Sequence, residues 1–223
     1  MSNAEHNAPK LDGDCAESVD SRAYLEEPNP LLVVVSGPSA AGKDSVIRRM
    51  KELDYPFHFV VTATTRPPRK GEQHGRDYFF LSEQEFLTLI EEGELLEHAL
   101  VYGQHKGIPK DQIRRALASG KDVVMRVDVQ GATTVDSLIP DAVLIFLVAG
   151  SDDELIGRLR KRGTERAEEL DKRVATARRE MKYIPKFDYV VVNRDGELDR
   201  AVAEIAAIIS AEKCRTKQRV IRL

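Results

Sequence analysis

The densest chemistry in the sequence lies in one short stretch, Gly37-Pro38-Ser39-Ala40-Ala41-Gly42-Lys43-Asp44-Ser45. Backbone N–H groups of such a loop, pointing inward at the start of a helix, form an anion site suited to the β-phosphate of a nucleoside triphosphate. Gly37 and Gly42 permit the backbone angles and the close approach of oxygen atoms, and the Lys43 ammonium can reach the β- and γ-phosphates. The pattern G-x-x-x-x-G-K-[ST] departs at its last place. Asp44 stands where a hydroxyl would ligate Mg²⁺, and Ser45 comes one residue late, turned by roughly 100° around the helix. The elements needed to hold this loop are present on both sides. The apolar run Leu32-Val33-Val34-Val35 predicts a buried strand, and Val46, Ile47, Met50 and Leu53 recur at helical spacing from about Asp44 onward.

A second constellation lies in the segment from Thr62 to Asp77, which is dense in proline, glycine and basic residues and so predicts a loop and no core element. Arg66 and Arg69 lie three apart on a chain stiffened by Pro67 and Pro68, so two guanidinium forks can clamp one phosphate dianion, with the Tyr78 hydroxyl as a further donor. The run Thr64-Thr65-Arg66-Pro67-Pro68-Arg69-Lys70-Gly71-Glu72-Gln73-His74-Gly75-Arg76-Asp77-Tyr78 resembles the acceptor-phosphate loop of guanylate kinases, and the resemblance extends from about Leu31 to the final helix. It implies ATP-dependent phosphorylation of GMP to GDP with Mg²⁺ accompanying ATP. Residue by residue, it implies that Glu97 accepts the guanine N1–H and amino group, that Thr62 lies near O6, and that Asp128 is the second acid. Glu72 and Lys106 join Arg66, Arg69 and Tyr78 on the acceptor, and Asn193 lies beside the adenine. Arg158, Arg162 and Arg173, around Gly163-Thr164-Glu165, are similar to the cations of a mobile lid. The chemistry of a carboxylate opposite a purine agrees, because adenine would present it with an acceptor at N1 and leave both groups unpaired.

The pattern also breaks, and the breaks cluster at the centre. Besides Asp44, Arg126 stands where the family carries an acid before Val127-Asp128, Lys106 replaces a phosphate-binding tyrosine, and Ile108 replaces a small hydroxyl residue near the base. A carboxylate gained at 44 and one lost at 126 keep an acid directed at the metal, and Arg126 is placed to hold Asp44 or a phosphate. Gly42-Lys43-Asp44-Ser45 is also similar to ribose 1,5-bisphosphate phosphokinases, which makes a sugar-phosphate kinase the alternative; a guanylate-kinase-like binding module without activity is a third reading. The retained glycines, Lys43 and both loop arginines favour an enzyme.

Composition bounds these readings. The chain has 223 residues, 42% hydrophobic and 32% charged, with a net charge of -3, which suits one well-cored domain and gives no electrostatic case for nucleic acid or an anionic membrane. No apolar run approaches the roughly 20 residues that span a bilayer, and the cytoplasm is the expected compartment. Cys15 and Cys214 suggest free thiols. Residues 1–30 read as an acidic, disordered leader. Beyond it, strands and helices alternate, which predicts an α/β P-loop kinase fold, a three-layer sandwich around a parallel sheet. The expected divisions are a core of 31–62, 119–150 and 186–223, an inserted acceptor-binding subdomain of 63–118 and a helical lid of 151–185. Among the finer expectations are a strand over 57–61, a turn over 103–107, and capping boxes at Ser82/Glu85 and Ser151/Glu154.

Overall fold

The computed structural model describes residues 27–101, 103–161 and 167–223. Most of the expected leader, and Arg162 with Gly163-Thr164-Glu165, lie outside them. A five-stranded, wholly parallel sheet forms the centre, built from β1 (Leu32–Ser36), β2 (His58–Phe59), β7 (Val123–Arg126), β8 (Val143–Ala149) and β9 (Tyr189–Asn193) in the order β2-β7-β1-β8-β9. A four-stranded sheet, β4-β3-β6-β5, stands beside it, made of β3 (Ala63–Thr64), β4 (Phe79–Phe80), β5 (Leu95–Val101) and β6 (Gln104–Pro109).

The period-two rule of a strand explains the three layers. On β1, Val33 and Val35 point into one apolar cluster with Val46 and Met50 of α1 (Lys43–Glu52) and with Val202, Ile205 and Ile209 of α7 (Leu198–Lys213). Leu32 and Val34 point the other way, onto Ile113 and Ala116 of α3 (Lys110–Ala118) and Ala132 and Val135 of α4 (Val129–Leu138). Every residue of β1 is fully buried, so the strand is apolar on both faces, and each large side chain so placed contributes about 1.5–3 kcal/mol. Leu96 and Ile108 of the smaller sheet belong to this second cluster, which fuses the two sheets into one packed body.

Several sequence expectations change. The strand expected over 57–61 ends at Phe59, because the Gln112 amide, itself buried, donates to Val61 O at 2.7 Å and accepts from Val61 N at 2.8 Å. A side chain there takes the place of a ladder partner. The polar stretch 103–107 is no turn beyond Gly103; it enters β6, an interior strand whose His105 carbonyl accepts from Thr65 N and Thr64 Oγ1, both at 3.1 Å. Gly107 serves close approach there, since a Cβ on it would lie 2.9 Å from the Phe86 ring. Ala63 and Thr64, at the start of the supposed loop, are fully buried as β3.

The helix α2 (Glu83–Glu91) carries the full Ser82/Glu85 capping box. At α5 (Asp152–Lys161) only half of the second box forms: Ser151 Oγ accepts from Glu154 N at 3.1 Å, but the Glu154 carboxylate turns to Gly150 N, Asp195 N and Arg158. The long charged helix is α6 (Ala167–Glu180), continued by a short 3₁₀ turn, Met181–Lys186, that contains Pro185. Cys214 is a free, exposed thiol.

Candidate functional site

The loop between β1 and α1 has the backbone its glycines predict. Gly37 takes φ 138° and a Cβ there would meet Leu147 O at 2.1 Å; Gly42, the N-cap of α1, takes φ 98° and a Cβ would meet Asn193 Nδ2 at 2.2 Å. Both positions therefore exclude side chains twice, by torsion and by contact. Lys43 Nζ folds back over the loop and donates to the carbonyls of Gly37 and Pro38 at 2.5 and 3.0 Å. Pro38 O also accepts from Ala41 N, which closes the turn.

The loop is held from behind. Asn193, at the end of β9 and nearly buried, donates from Nδ2 to Ala41 O at 2.9 Å. Arg158 of α5 donates to the same carbonyl and to Asn193 O, while Asp195 and Glu154 grip its guanidinium. Arg158 is thus a strut under the loop in this conformation. Asn193, Arg158, Ser45 and Gly196 line a cavity of about 340 Å³ on this flank, so Ser45 faces away from the space that Asp44 faces. Arg173 lies on α6 and is half-buried.

A main cavity of about 800 Å³ joins the loop between β1 and α1 to the smaller sheet. Gly37, Ser39, Gly42, Lys43 and Asp44 line one end, and Thr62, Glu97, Lys106 and Asp128 line the other. Glu97 reaches it through an irregularity: Leu95 pairs with Pro109 and His98 with Gly107, so Leu96 and Glu97 together oppose Ile108. That bulge re-aims side chains at the rim of a site. Leu96 and Ile108 go into the core, so Ile108 is a packing residue, 1% exposed. The Glu97 carboxylate lies over the first turn of α4, where a Cβ on Gly131 would come within 2.1 Å of Oε2. Burial, and secondarily the charge of Asp128, push the Glu97 carboxyl up to about 7. Asp128 is the N-cap of α4 and accepts from Gln130 N and Gly131 N at 3.0 and 2.8 Å.

In the loop between β3 and β4, Arg66 and Glu72 pair at 2.8 Å with little exposure, and Glu72 also accepts from Arg69 N at 2.7 Å. Hydrogen bonding from Arg66, then from the Arg69 backbone, holds the Glu72 carboxyl below its usual range. The Arg66 guanidinium lies 5.2 Å from the Tyr78 ring centre and 5.7 Å from that of Phe80, so Glu72 and two aromatic faces fix its direction. Arg69 itself is exposed.

Asp44 and Arg126 form an ion pair at the mouth of the phosphate loop, with side chains 53% and 39% exposed. Pairs this accessible to solvent are worth about 0–1 kcal/mol, so this one is exchangeable. Two contributors escaped sequence reasoning. Glu180, at the end of α6, accepts from Ser39 N at 3.2 Å and lines the main cavity, which ties that helix to the loop. Gly131 is required by the Glu97 carboxylate; a glycine inside an otherwise helical stretch was its one visible signal.

With this geometry in view, comparisons with known proteins give one answer. The family model described as guanylate kinase matches residues 29–212. The chain is 49% identical over 214 residues to "Guanylate kinase 2, chloroplastic/mitochondrial" of Oryza sativa subsp. japonica, covering 96% of this chain and 75% of that one. It is 47% identical over 185 residues to the guanylate kinase of Caldanaerobacter subterraneus subsp. tengcongensis, covering 83% and 89%. The crystal structure of guanylate kinase from Anaplasma phagocytophilum superposes with a TM-score of 0.66 at 29% identity, over 85% of this chain and 89% of that one. A loop shaped by Gly37 and Gly42, a carboxylate set in the wall of the same cavity and a match over most of the length agree: the chain belongs to the guanylate kinase family.

Proposed function

We propose that this chain transfers the γ-phosphoryl group of ATP to GMP, giving ADP and GDP, and that the donor's phosphates and the guanine lie at opposite ends of the main cavity. A GMP phosphate oxygen forms the new bond to the γ-phosphorus as the bond to the β–γ bridging oxygen breaks. Such transfers depend on positioning and electrostatics, because the protein forms no covalent bond. The observation that carries this reading is the shared cavity: Lys43 and Glu97 line one space, and that space is about 800 Å³.

On the donor side, the Gly37–Lys43 backbone cradles the β-phosphate, Lys43 leaves the Gly37 and Pro38 carbonyls for the transferring group, and Asn193 lies beside adenine in the flanking cavity. On the acceptor side, Lys106 at the main cavity and Arg66, Arg69 and Tyr78 on the loop outside its lining hold the GMP phosphate, with Glu72 fixing Arg66. Glu97 accepts from the guanine N1–H and amino groups, with Thr62 and Asp128 as neighbours. Arg158, Arg162 and Arg173 add positive charge from the helical lid of 151–185. The inserted unit of 63–118 carries the acceptor, and 31–62, 119–150 and 186–223 form the core.

A divalent metal accompanies ATP in this chemistry, and we assign it as Mg²⁺ with Asp44 as its protein partner. The donor set fits: Asp44 offers hard oxygen at the cavity mouth, and among the described residues no group of three or more His, Cys, Asp or Glu side chains gathers into a cage. Mg²⁺ is commonly held in that way, by one or two carboxylates and the substrate phosphates. It would draw charge from the transferring phosphoryl group when bound.

ADP release measured with ATP and Mg²⁺ against GMP, dGMP, AMP, UMP and ribose 1,5-bisphosphate tests the reading. Turnover with GMP far above the rest is expected. Preference for the sugar bisphosphate would overturn the assignment of the acceptor, and release with no acceptor preference would overturn the role of Glu97.

A further inference from the structure

Arg126 ends β7 in register with Val35, immediately beside the strand end that feeds the phosphate loop. Besides the main cavity, a second one of about 410 Å³ opens between α1 and the acceptor loop, walled by Ile47, Arg48, Lys51, Arg76 and Tyr78. Asp44, Thr62 and Arg126 line both cavities. The guanidinium therefore stands at the junction between the loop that holds the donor and the space that receives the acceptor. Its partner there is Asp44, the carboxylate that opens α1.

This pairing sets two opposed needs against each other. A carboxylate beside a triphosphate repels it unless positive charge lies between, and Asp44 is at present neutralised by Arg126. A planar guanidinium, for its part, binds phosphate oxygens bidentately at least as well as it binds a carboxylate. Both side chains keep much of their exposure, so little desolvation holds the pair together. Any ligand that brings a cation for Asp44 and phosphate oxygens for Arg126 satisfies both groups at once, and a metal-bound nucleotide is such a ligand.

We infer that Arg126 is a phosphate-binding residue kept in reserve by Asp44: as the metal accompanying ATP takes the carboxylate, the guanidinium swings into the main cavity and binds phosphate oxygens between Lys43 and the acceptor. This rests on the reading of Asp44 as the metal's carboxylate. The exchange makes cation binding and phosphate binding one coupled event, and it gives a function to an arginine at the end of a strand whose other residues are core.

Calorimetric titration of ADP, with Mg²⁺ and in EDTA, into the parent, Asp44→Asn, Arg126→Gln and the double variant tests the exchange. In EDTA, Asp44→Asn should release Arg126 and tighten ADP about tenfold, as a charge-assisted fork is gained, and Arg126→Gln in the same chain should abolish that gain. A gain of equal size with and without Arg126 means that Asp44 merely repels phosphate, and it overturns the proposal. With Mg²⁺, Arg126→Gln should weaken ADP about tenfold and Arg126→Lys, which keeps the charge, should recover part of the loss. Unchanged affinity in a folded Arg126→Gln, its melting temperature that of the parent, overturns it as well. The metal reading fails separately, if the ratio of ADP affinities with and without Mg²⁺ is the same in Asp44→Asn as in the parent.

Discussion

The proposed donor end and acceptor end of the cavity are built from different materials. At the donor end the recognition surface is backbone: Gly37 and Gly42 have no room for a Cβ, and the loop is anchored by Asn193 and Arg158 through the single carbonyl of Ala41. At the acceptor end it is side chain: a carboxylate delivered by a β-bulge, to which the neighbouring loop, outside that cavity's lining, adds a guanidinium aimed by Glu72 and two rings. A phosphate chain is much the same in every nucleotide, so a rigid backbone cradle serves. A particular base must be told from others, which requires a donor–acceptor pattern that only chosen side chains supply.

The contrast can be broken most severely at Lys43, a donor-side residue proposed to act by side-chain charge. Lys43→Ala should lower kcat by about 10²–10³-fold, the usual loss when an electrostatic stabiliser of the transition state is removed. The melting temperature should hardly move, since Lys43 packs in no core cluster. Steady-state kinetics with a thermal melt reads both, and near-parental turnover would remove Lys43 from the mechanism.

The next largest effect belongs to the clamp. Arg66→Ala and Arg69→Ala should each raise KM for GMP or lower kcat by at least about tenfold, with KM for ATP little changed, as expected when one fork of a phosphate clamp is lost. Arg66→Ala should be the worse of the two, because Arg66 is the more buried and leaves Glu72 without its cation. Equal losses for ATP and GMP would show that the two ends are not separate in the way the cavity suggests.

The smallest effect is the most diagnostic. A Glu97 carboxyl titrating at about 7 must be ionised to accept two donors from guanine, so KM for GMP should rise as pH falls below 7, approaching tenfold per unit, while KM for ATP should show no such break. Glu97→Gln should flatten the profile and narrow the preference for GMP over AMP. Stability runs the opposite way. The folded value lies above the ordinary carboxylate value of 4.5, so the native state holds this proton more tightly than the unfolded chain, and stability declines as pH rises from 4.5 to about 7. Glu97→Gln should remove that decline from a pH series of melts.

The sequence alone was enough for the shape of the 37–43 loop, because a Gly-x-x-x-x-Gly-Lys run between an apolar strand and an amphipathic helix encodes a backbone shape locally. It was also enough for the alternating architecture, since Val33 and Val35 against Leu32 and Val34 already imply a strand buried on both sides. Local hydrogen-bond chemistry made the Ser82/Glu85 cap legible too. What escaped depended on partners far along the chain. The end of β2 is decided by Gln112, and the 104–109 strand by Thr64 and Thr65, whose bonds override a polar, turn-like composition. Whether Ile108 lay near the base or in the core turned on a register slip between β5 and β6, which no short-range pattern records. Arg158 and Asp44 could be identified as charged residues near a nucleotide, but their partners, Asp195 and Arg126, are brought to them by the parallel sheet. A side chain's charge is written at its own position, whereas its direction and its partner are set by residues that only the tertiary structure places beside it.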